Sequence, residues 1–322
     1  MSANSTLAPA DTAAARPALR RIQRWLMRNG TLLLMALPGM GVLFTFSYLP
    51  MPGIILAFKE FKAAQGIWGS AWVGFTNFQF LFSTDTAWRI IRNTLLLNAL
   101  FIATTLVAAV TMAILLNEII DSFIARVYQS ILFFPYFVSY VIVGYFVYIL
   151  LSADSGFVNR LLMRLGIDPI NWFGAPEYWP FILVLVNLWH NLGYNTIIYL
   201  AGIVAINPEY YEAARIDGAS KWQEIRYILL PLIRPLMIIN VLLSIGRILF
   251  ANLDLFINVT RQQGALLPTT DVLDTYVFRT LTTLGNFNMA SAAGFFQAVV
   301  GFVLVVIANW IVRRVDPDQS LF

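Results

Sequence analysis

Side chains able to do chemistry in this sequence sit where water would be scarce. Between residues 235 and 259, Asn240, Ser244, Arg247, Ala251, Asp254 and Asn258 recur at steps of three and four, which places them on one face if the stretch is helical. Arg247 falls near the middle of that apolar run, and a charge at such depth is costly unless it meets a cavity or a partner. This face reads as the lining of a polar path or as a pairing surface. A second patch, Asn187, His190, Asn191, Tyr194 and Asn195 beside Trp189, lies between 178 and 206, and Gln297 adds an amide between 290 and 312. His190 reads first as a packing residue and second as a solute contact. Thr104, Thr105 and Thr111 read as helix-packing residues.

Other chemistries lack their parts. The chain has one histidine and no cysteine, and no acid stands at metal-ligand spacing from His190, which argues against a zinc site and a disulfide framework. No G-x-x-x-x-G-K-[ST] loop occurs. Gly39 and Gly41 in "PGMGVL" lack the lysine and preceding strand that phosphate binding needs. No grouping of nucleophile, base and orienter is present, so no catalytic residue is expected.

The elements that must hold these residues are membrane helices. The chain has 322 residues, 59% hydrophobic and 12% charged, with mean hydropathy +0.72, against about 45–50% apolar and about 25% charged in soluble domains. Six stretches are long enough to cross a hydrocarbon core of about 30 Å: 31–58, 93–117, 127–151, 178–206, 235–259 and 290–312. Pro50 and Pro52 should bend or end the first, which reads as a retained anchor rather than a cleaved leader. Residues 1–18 read as disordered. The basic stretch 19–28 reads mainly as a topology-setting flank and secondarily as a short amphipathic helix. The domain expectation is a tail over 1–30, a membrane domain over 31–315 and a tail over 316–322.

Lys and Arg in the tails and in the 118–126 and 207–234 loops outnumber those in the alternate loops. The cluster Arg16, Arg20, Arg21, Arg24 and Arg28 abuts the first span, where the positive-inside rule weighs most. Both termini and the 207–234 loop are therefore expected in the cytoplasm. This bias accounts for the net charge of +4, and no basic tract with interleaved aromatics points to nucleic acid.

The 207–234 loop is the most patterned polar segment. Asn207 and Pro208 start a helix, Glu209 and Glu212 suit its positive end, and Gly218 is placed to end it in a left-handed cap. Ser220 with Gln223 forms a capping-box pattern for a second helix, expected to run to Pro231 and Pro235. Asp217, near a helix C-terminus, suggests either an outside partner or a cap for the next turn. Helices this short are marginal alone, so the segment is expected to pack against something.

Glu212, Ala213, Ala214, then Gly218 after three residues, then Ile228, Leu230 and Pro231 after nine more resemble the cytoplasmic signature of permease subunits of binding-protein-dependent ABC importers. "FFPYFVSYVIVG" (133–144), "SGFVNRLL" (155–162) and the stretch 189–222 resemble the carbohydrate-uptake group, particularly its oligo- and polysaccharide subgroup. The likeness extends over most of residues 30–315.

The resemblance implies an all-α, multi-pass type I importer permease of the bacterial inner membrane that carries a saccharide and is no enzyme. It implies a related second permease, two cytoplasmic ATPase subunits holding ATP and Mg, and an extracytoplasmic solute-binding protein. Glu212, Ala213, Ala214, Arg215, Asp217, Gly218, Ile228, Leu230 and Pro231 would couple to the ATPase. Asn187, His190, Asn191, Tyr194, Asn195, Ser244, Arg247, Asp254, Asn258 and Gln297 would be candidates for the solute path. If Arg247 holds solute, an acidic saccharide such as a uronate polymer becomes a candidate cargo within that oligo- or polysaccharide class. An importer of another solute class, an ion-coupled secondary transporter resting on Asp254, and a membrane-embedded enzyme are the competing readings.

Overall fold

A computed structural model describes residues 15–120 and 122–315. The chain forms two compact units, the first ending at Ile55 and the second beginning at Leu56. In the first, α1 (Ala15–Leu43) continues into a π turn, Phe44–Tyr48. The basic 19–28 stretch is thus the start of the first long helix and not a separate one. Gly30 is the weakest helix former at the junction, and an interior glycine costs only about 1 kcal/mol. Residues 15–18, expected to be disordered, are its first turn. The expectations for 1–14 and for the 316–322 tail fall outside the described residues. Past Pro50 the backbone tightens into a 3-10 helix, Met51–Phe58, and the helical span runs on from Met27 to Phe58, so the two prolines change its winding where an end or a bend was expected.

In the second unit, α2 (Asp85–Asn117) starts eight residues earlier than its apolar run, because Thr84 caps it by accepting from the Ala87 amide at 3.2 Å. There follow α3 (Phe123–Phe133), α4 (Tyr140–Leu151) and α5 (Trp179–Val204). After them come α6 (Glu209–Ile216), α7 (Lys221–Gly246), α8 (Leu253–Thr260), α9 (Leu273–Thr282) and α10 (Phe287–Val315). Among the described residues five helices are long and apolar enough to cross a membrane, or six where α3 and α4, bent by 97°, count as one span. Among the described residues the only strands are a two-residue antiparallel pair, Lys59–Glu60 with Ala71–Trp72, so the all-α expectation holds.

Helix α2 packs along α5, α8 along α4, and both α7 and α9 along α10. One apolar core gathers Leu97, Phe101, Val143, Trp179, Leu183 and Phe256; another gathers Ala109, Ala113, Tyr199, Ile203, Leu229 and Ile233. Thr104 and Thr111 donate to Leu100 and Val107 of their own helix, each at 2.7 Å, which satisfies the hydroxyls without a cross-helix bond.

Two expectations need correction. Pro231 and Pro235 do not end the second cytoplasmic helix, which runs unbroken from Lys221 to Gly246. A π turn over Ile225–Leu229, closed by the Leu230 amide on the Ile225 carbonyl, widens the helix just where the Pro231 ring would press on the preceding turn. The fifth span is also not one helix over 235–259. Helix α7 stops at Gly246, residues 247–252 leave helical geometry, and α8 starts under the Asn252 side chain, which accepts from the Leu255 amide at 3.2 Å.

Candidate functional site

Non-helical backbone at membrane depth survives only if its polar groups are paired within the protein or face water. The break after α7 is paired from three sides. Asn98 of α2 donates to the Ile248 carbonyl at 2.8 Å, and Gln297 of α10 donates to the Leu249 carbonyl at 2.8 Å. The Asp274 carboxylate of α9 accepts from the Ala251 amide at 2.7 Å and from Gln297 at 3.1 Å. Gln297 is 3% exposed, so it ties the break together and does not face a solute, which corrects its place among the path candidates. Asn98 was missed from sequence; its signal was an amide inside the uncharged run "NTLLLNAL".

Beside this break lies a cavity of about 470 Å³, lined by Asn98, Phe101, Asn187, Ser244, Arg247, Ala251 and Asn252 among others. The one-face helical pattern is therefore wrong beyond Gly246, yet Ser244, Arg247 and Ala251 still meet, because the turn folds them around one space. Arg247 ends α7 as its C-cap, and among the described residues its exposed guanidinium has no acid or other side-chain partner. Asn195, Asn240 and Ser244 line a smaller pocket between α2, α5 and α7. Asp254 is exposed outside this cavity, and Asn258 lines a different one with Gly144 and Arg261.

The remaining residues of the α5 patch serve the bend between α3 and α4. His190 is 6% exposed, stacks on Tyr140 with ring centroids 4.2 Å apart, and holds the Val138 carbonyl at 3.0 Å through Nε2. Tyr194 stacks on Tyr136 at 4.7 Å. Asn191 donates to Asn187 Oδ1 at 3.1 Å and to the Tyr140 hydroxyl at 3.4 Å. His190 is thus a packing residue at the bend, where the peptide freed by the kink needs a partner.

The segment between α5 and α7 is built as the sequence implied. Asn207 Oδ1 accepts from the Glu209 amide at 3.1 Å. Gly218 has φ +80°, and the Ala219 amide reaches back to Ala214 and the Gly218 amide to Arg215, at 2.9 and 3.1 Å, which is a Schellman ending. The capping box at Ser220 and Gln223 is present. Asp217 makes no side-chain bond among the described residues, so the next turn is capped by Ser220 and not by Asp217.

Arg215 is committed within the chain: Nε donates to Glu224 Oε1 at 2.8 Å and Nη2 to Oε2 at 3.4 Å. That bond holds the guanidinium pKa above its ordinary value. Lys221 bridges Glu224 at 3.4 Å and Glu118, just past α2, at 3.0 Å. Ile228 and Leu230 are half-buried, and Leu230 packs on the core under α7, so Leu230 holds the helix, while Pro231 is exposed. Glu224, 4% exposed, was missed because it lies in the signature's variable stretch. Around the tip, Tyr210, Ile216 and Trp222 are exposed, Ile216 by 87%.

Residues 105–320 match the family described as the binding-protein-dependent transport system inner membrane component. The chain is 35% identical over 302 residues to the polygalacturonan/rhamnogalacturonan transport system permease protein YteP of Bacillus subtilis, covering 93% of this chain and 92% of that one. It is 33% identical to protein LplB of the same organism, covering 91% and 92%. A solved bacterial ABC transporter involved in import of the acidic polysaccharide alginate contains a chain that superposes with TM-score 0.83 at 34% identity, over 92% of this chain and 99% of that one. A second structure of that kind of transporter, in complex with an alginate pentasaccharide-bound periplasmic protein, superposes with TM-score 0.82. With its bent and broken spans and its capped helix pair around Gly218, the chain belongs to the inner-membrane permease family of binding-protein-dependent ABC importers.

Proposed function

We propose that this permease forms half of the path by which an acidic oligo- or polysaccharide enters a bacterial cell. The observation that carries the reading is Arg247: an exposed guanidinium without an acid partner among the described residues, set at the end of a broken membrane helix beside a cavity of about 470 Å³ with Asn98, Asn187, Ser244 and Asn252. A guanidinium pairs with a carboxylate through two parallel N–H donors, and amides and hydroxyls suit sugar hydroxyls. The relatives named for polygalacturonan and for alginate support the same solute class.

The other half of the path is a second, related permease, and a solute-binding protein delivers the saccharide, as the alginate transporter's periplasmic protein supports. Two ATPase subunits hold ATP and Mg and receive α6 as a coupling helix. Exposed Ile216, Trp222 and Tyr210 supply the apolar anchors such a docking needs. Glu212, Ala213, Ala214 and Gly218 shape the contact, while Arg215 acts through Glu224. Both termini lie in the cytoplasm, with α6, by the arginine bias.

Reconstitution of the full complex in proteoliposomes tests this. Oligogalacturonate-loaded binding protein is expected to stimulate ATP hydrolysis, and the carboxyl-reduced oligosaccharide to do so far less. Equal stimulation by both would remove the acidic specificity, and failure to assemble with any ATPase subunit would remove the importer reading.

A further inference from the structure

A second cavity, about 320 Å³ in volume, opens between α4 and α8 and shares no lining residue with the one at Arg247. Its size lies in the range of small-molecule sites, about 300–1,000 Å³. Gly144 lines it, and a Cβ there would fall on the Asn258 backbone, so glycine lets α4 and α8 meet closely. Tyr145, Asn258, Arg261, Gln262 and Gln263 line it too.

The backbone just after α8 is strained. Arg261 and Gln262 have φ of +54° and +52°, the only non-glycine residues with positive φ among those described. Glycine or asparagine is the ordinary choice for such a pair. Keeping two long polar side chains there calls for a use of those side chains.

Arg261 lies over Tyr148, with its guanidinium carbon 4.3 Å from the ring centroid, and 5.6 Å from that of Tyr145. Stacking fixes the guanidinium plane and leaves its N–H edge available. Among the described residues neither that edge nor the Gln262 and Gln263 side chains have a protein partner, and Asn258 spends only its Nδ2, on the Asp254 carbonyl. A preset cationic fork, unpaired amides and a half-exposed tyrosine around a one-sugar space match a carboxylated sugar unit.

We infer that the α4–α8 cavity is a second saccharide subsite, in which Arg261 takes the carboxylate of a uronate residue and Asn258, Gln262 and Gln263 take its hydroxyls. It rests on the acidic-saccharide reading above and on that orientation, which puts the end of α8 at the outer face. The subsite would engage the chain before the Arg247 cavity does, and two separated cationic contacts suit a polymer that advances unit by unit.

The test uses the full reconstituted transporter with its solute-binding protein, and compares uptake of trigalacturonate with its carboxyl-reduced form. R261Q is expected to raise KM for trigalacturonate about tenfold, the loss of roughly one charge-assisted contact, and R261K to recover part of it. Q262G relieves the backbone while deleting the amide, so it is expected to fold at least as well as the native chain and still raise KM. Wild-type KM in both R261Q and Q262G, with trigalacturonate transported normally by the native complex, overturns the subsite and leaves the proposed function standing. Uptake of only the carboxyl-reduced sugar by the native complex overturns both.

Discussion

Arg215 and Glu224 clasp across the Gly218 turn, the arginine reaching a carboxylate that is 4% exposed with Nε 2.8 Å from Oε1. Lys221 extends the clasp to Glu118 beyond α2. A push on α6 therefore reaches both the helix that carries Arg247 and the span that packs on α5. Glu224→Gln keeps the side-chain shape and removes the charge, leaving Arg215 and Lys221 without their shared anion. Saccharide-stimulated ATP hydrolysis is expected to fall about tenfold while the subunits still co-purify. Glu118→Gln, whose pair with Lys221 is exposed, is expected to change the rate less than twofold. Equal effects of the two variants would sink the clasp as a transmission element.

Gly218 isolates the role of the turn. Nothing lies within 4 Å of a Cβ built there, so a side chain costs only the left-handed backbone, about 1–2 kcal/mol for a non-glycine residue. Gly218→Val is expected to uncouple ATP hydrolysis from uptake while membrane insertion stays normal. Gly218→Asn, which tolerates the αL region, should lie between it and the native chain. Uptake in the valine variant matching the native rate would remove the turn from the mechanism.

Much of this was legible in sequence because it depends on local chemistry. Caps at Asn207, Gly218 and Ser220 are set by residues within one turn of each other, and spans declare themselves by apolar length. What stayed hidden was tertiary. An apolar run of the length of 235–259 looks the same whether it is one helix or is broken at Arg247, since the pairing of the broken backbone comes from Asn98, Asp274 and Gln297 on other helices. The local sign was Asn252 ahead of Leu253 and Asp254, a helix start within a supposed helix. Glu224 was hidden for the converse reason, a carboxylate in a variable stretch whose importance comes from burial.

Asn98 tests the support of the break. Asn98→Leu keeps the branched side-chain shape and leaves the Ile248 carbonyl without its 2.8 Å donor, at an expected cost of about 1–3 kcal/mol for a buried unpaired group. The purified complex should melt several degrees lower, and Asn98→Asp should be worse still. An unchanged melting temperature in both would mean that water already serves that carbonyl.

Gly193 tests the bend between α3 and α4. A Cβ there would fall on the Leu132 carbonyl and the Phe133 amide, which are backbone atoms of α3 and cannot turn aside. Gly193→Ala is expected to destabilise the permease by about 1–3 kcal/mol, seen as lower yield of folded protein after detergent extraction. Normal yield and melting would show that α3 slides freely on α5.

Arg247 separates solute chemistry from architecture. Its backbone ends α7, but its side chain is exposed and supports no described contact, so Arg247→Gln should fold and assemble as the native chain does. If the cavity receives a carboxylated sugar, the variant loses a charge-assisted pair, and uptake of oligogalacturonate should fall about tenfold or more. Uptake of a carboxyl-reduced analogue should change little, since Asn98, Asn187, Ser244 and Asn252 remain to meet hydroxyls. Arg247→Lys keeps the charge but not the fork, and should retain an intermediate rate with greater sensitivity to salt. If acidic and reduced sugars lost uptake in equal proportion in Arg247→Gln, the guanidinium would be acting on the movement of the broken helix and not on the cargo.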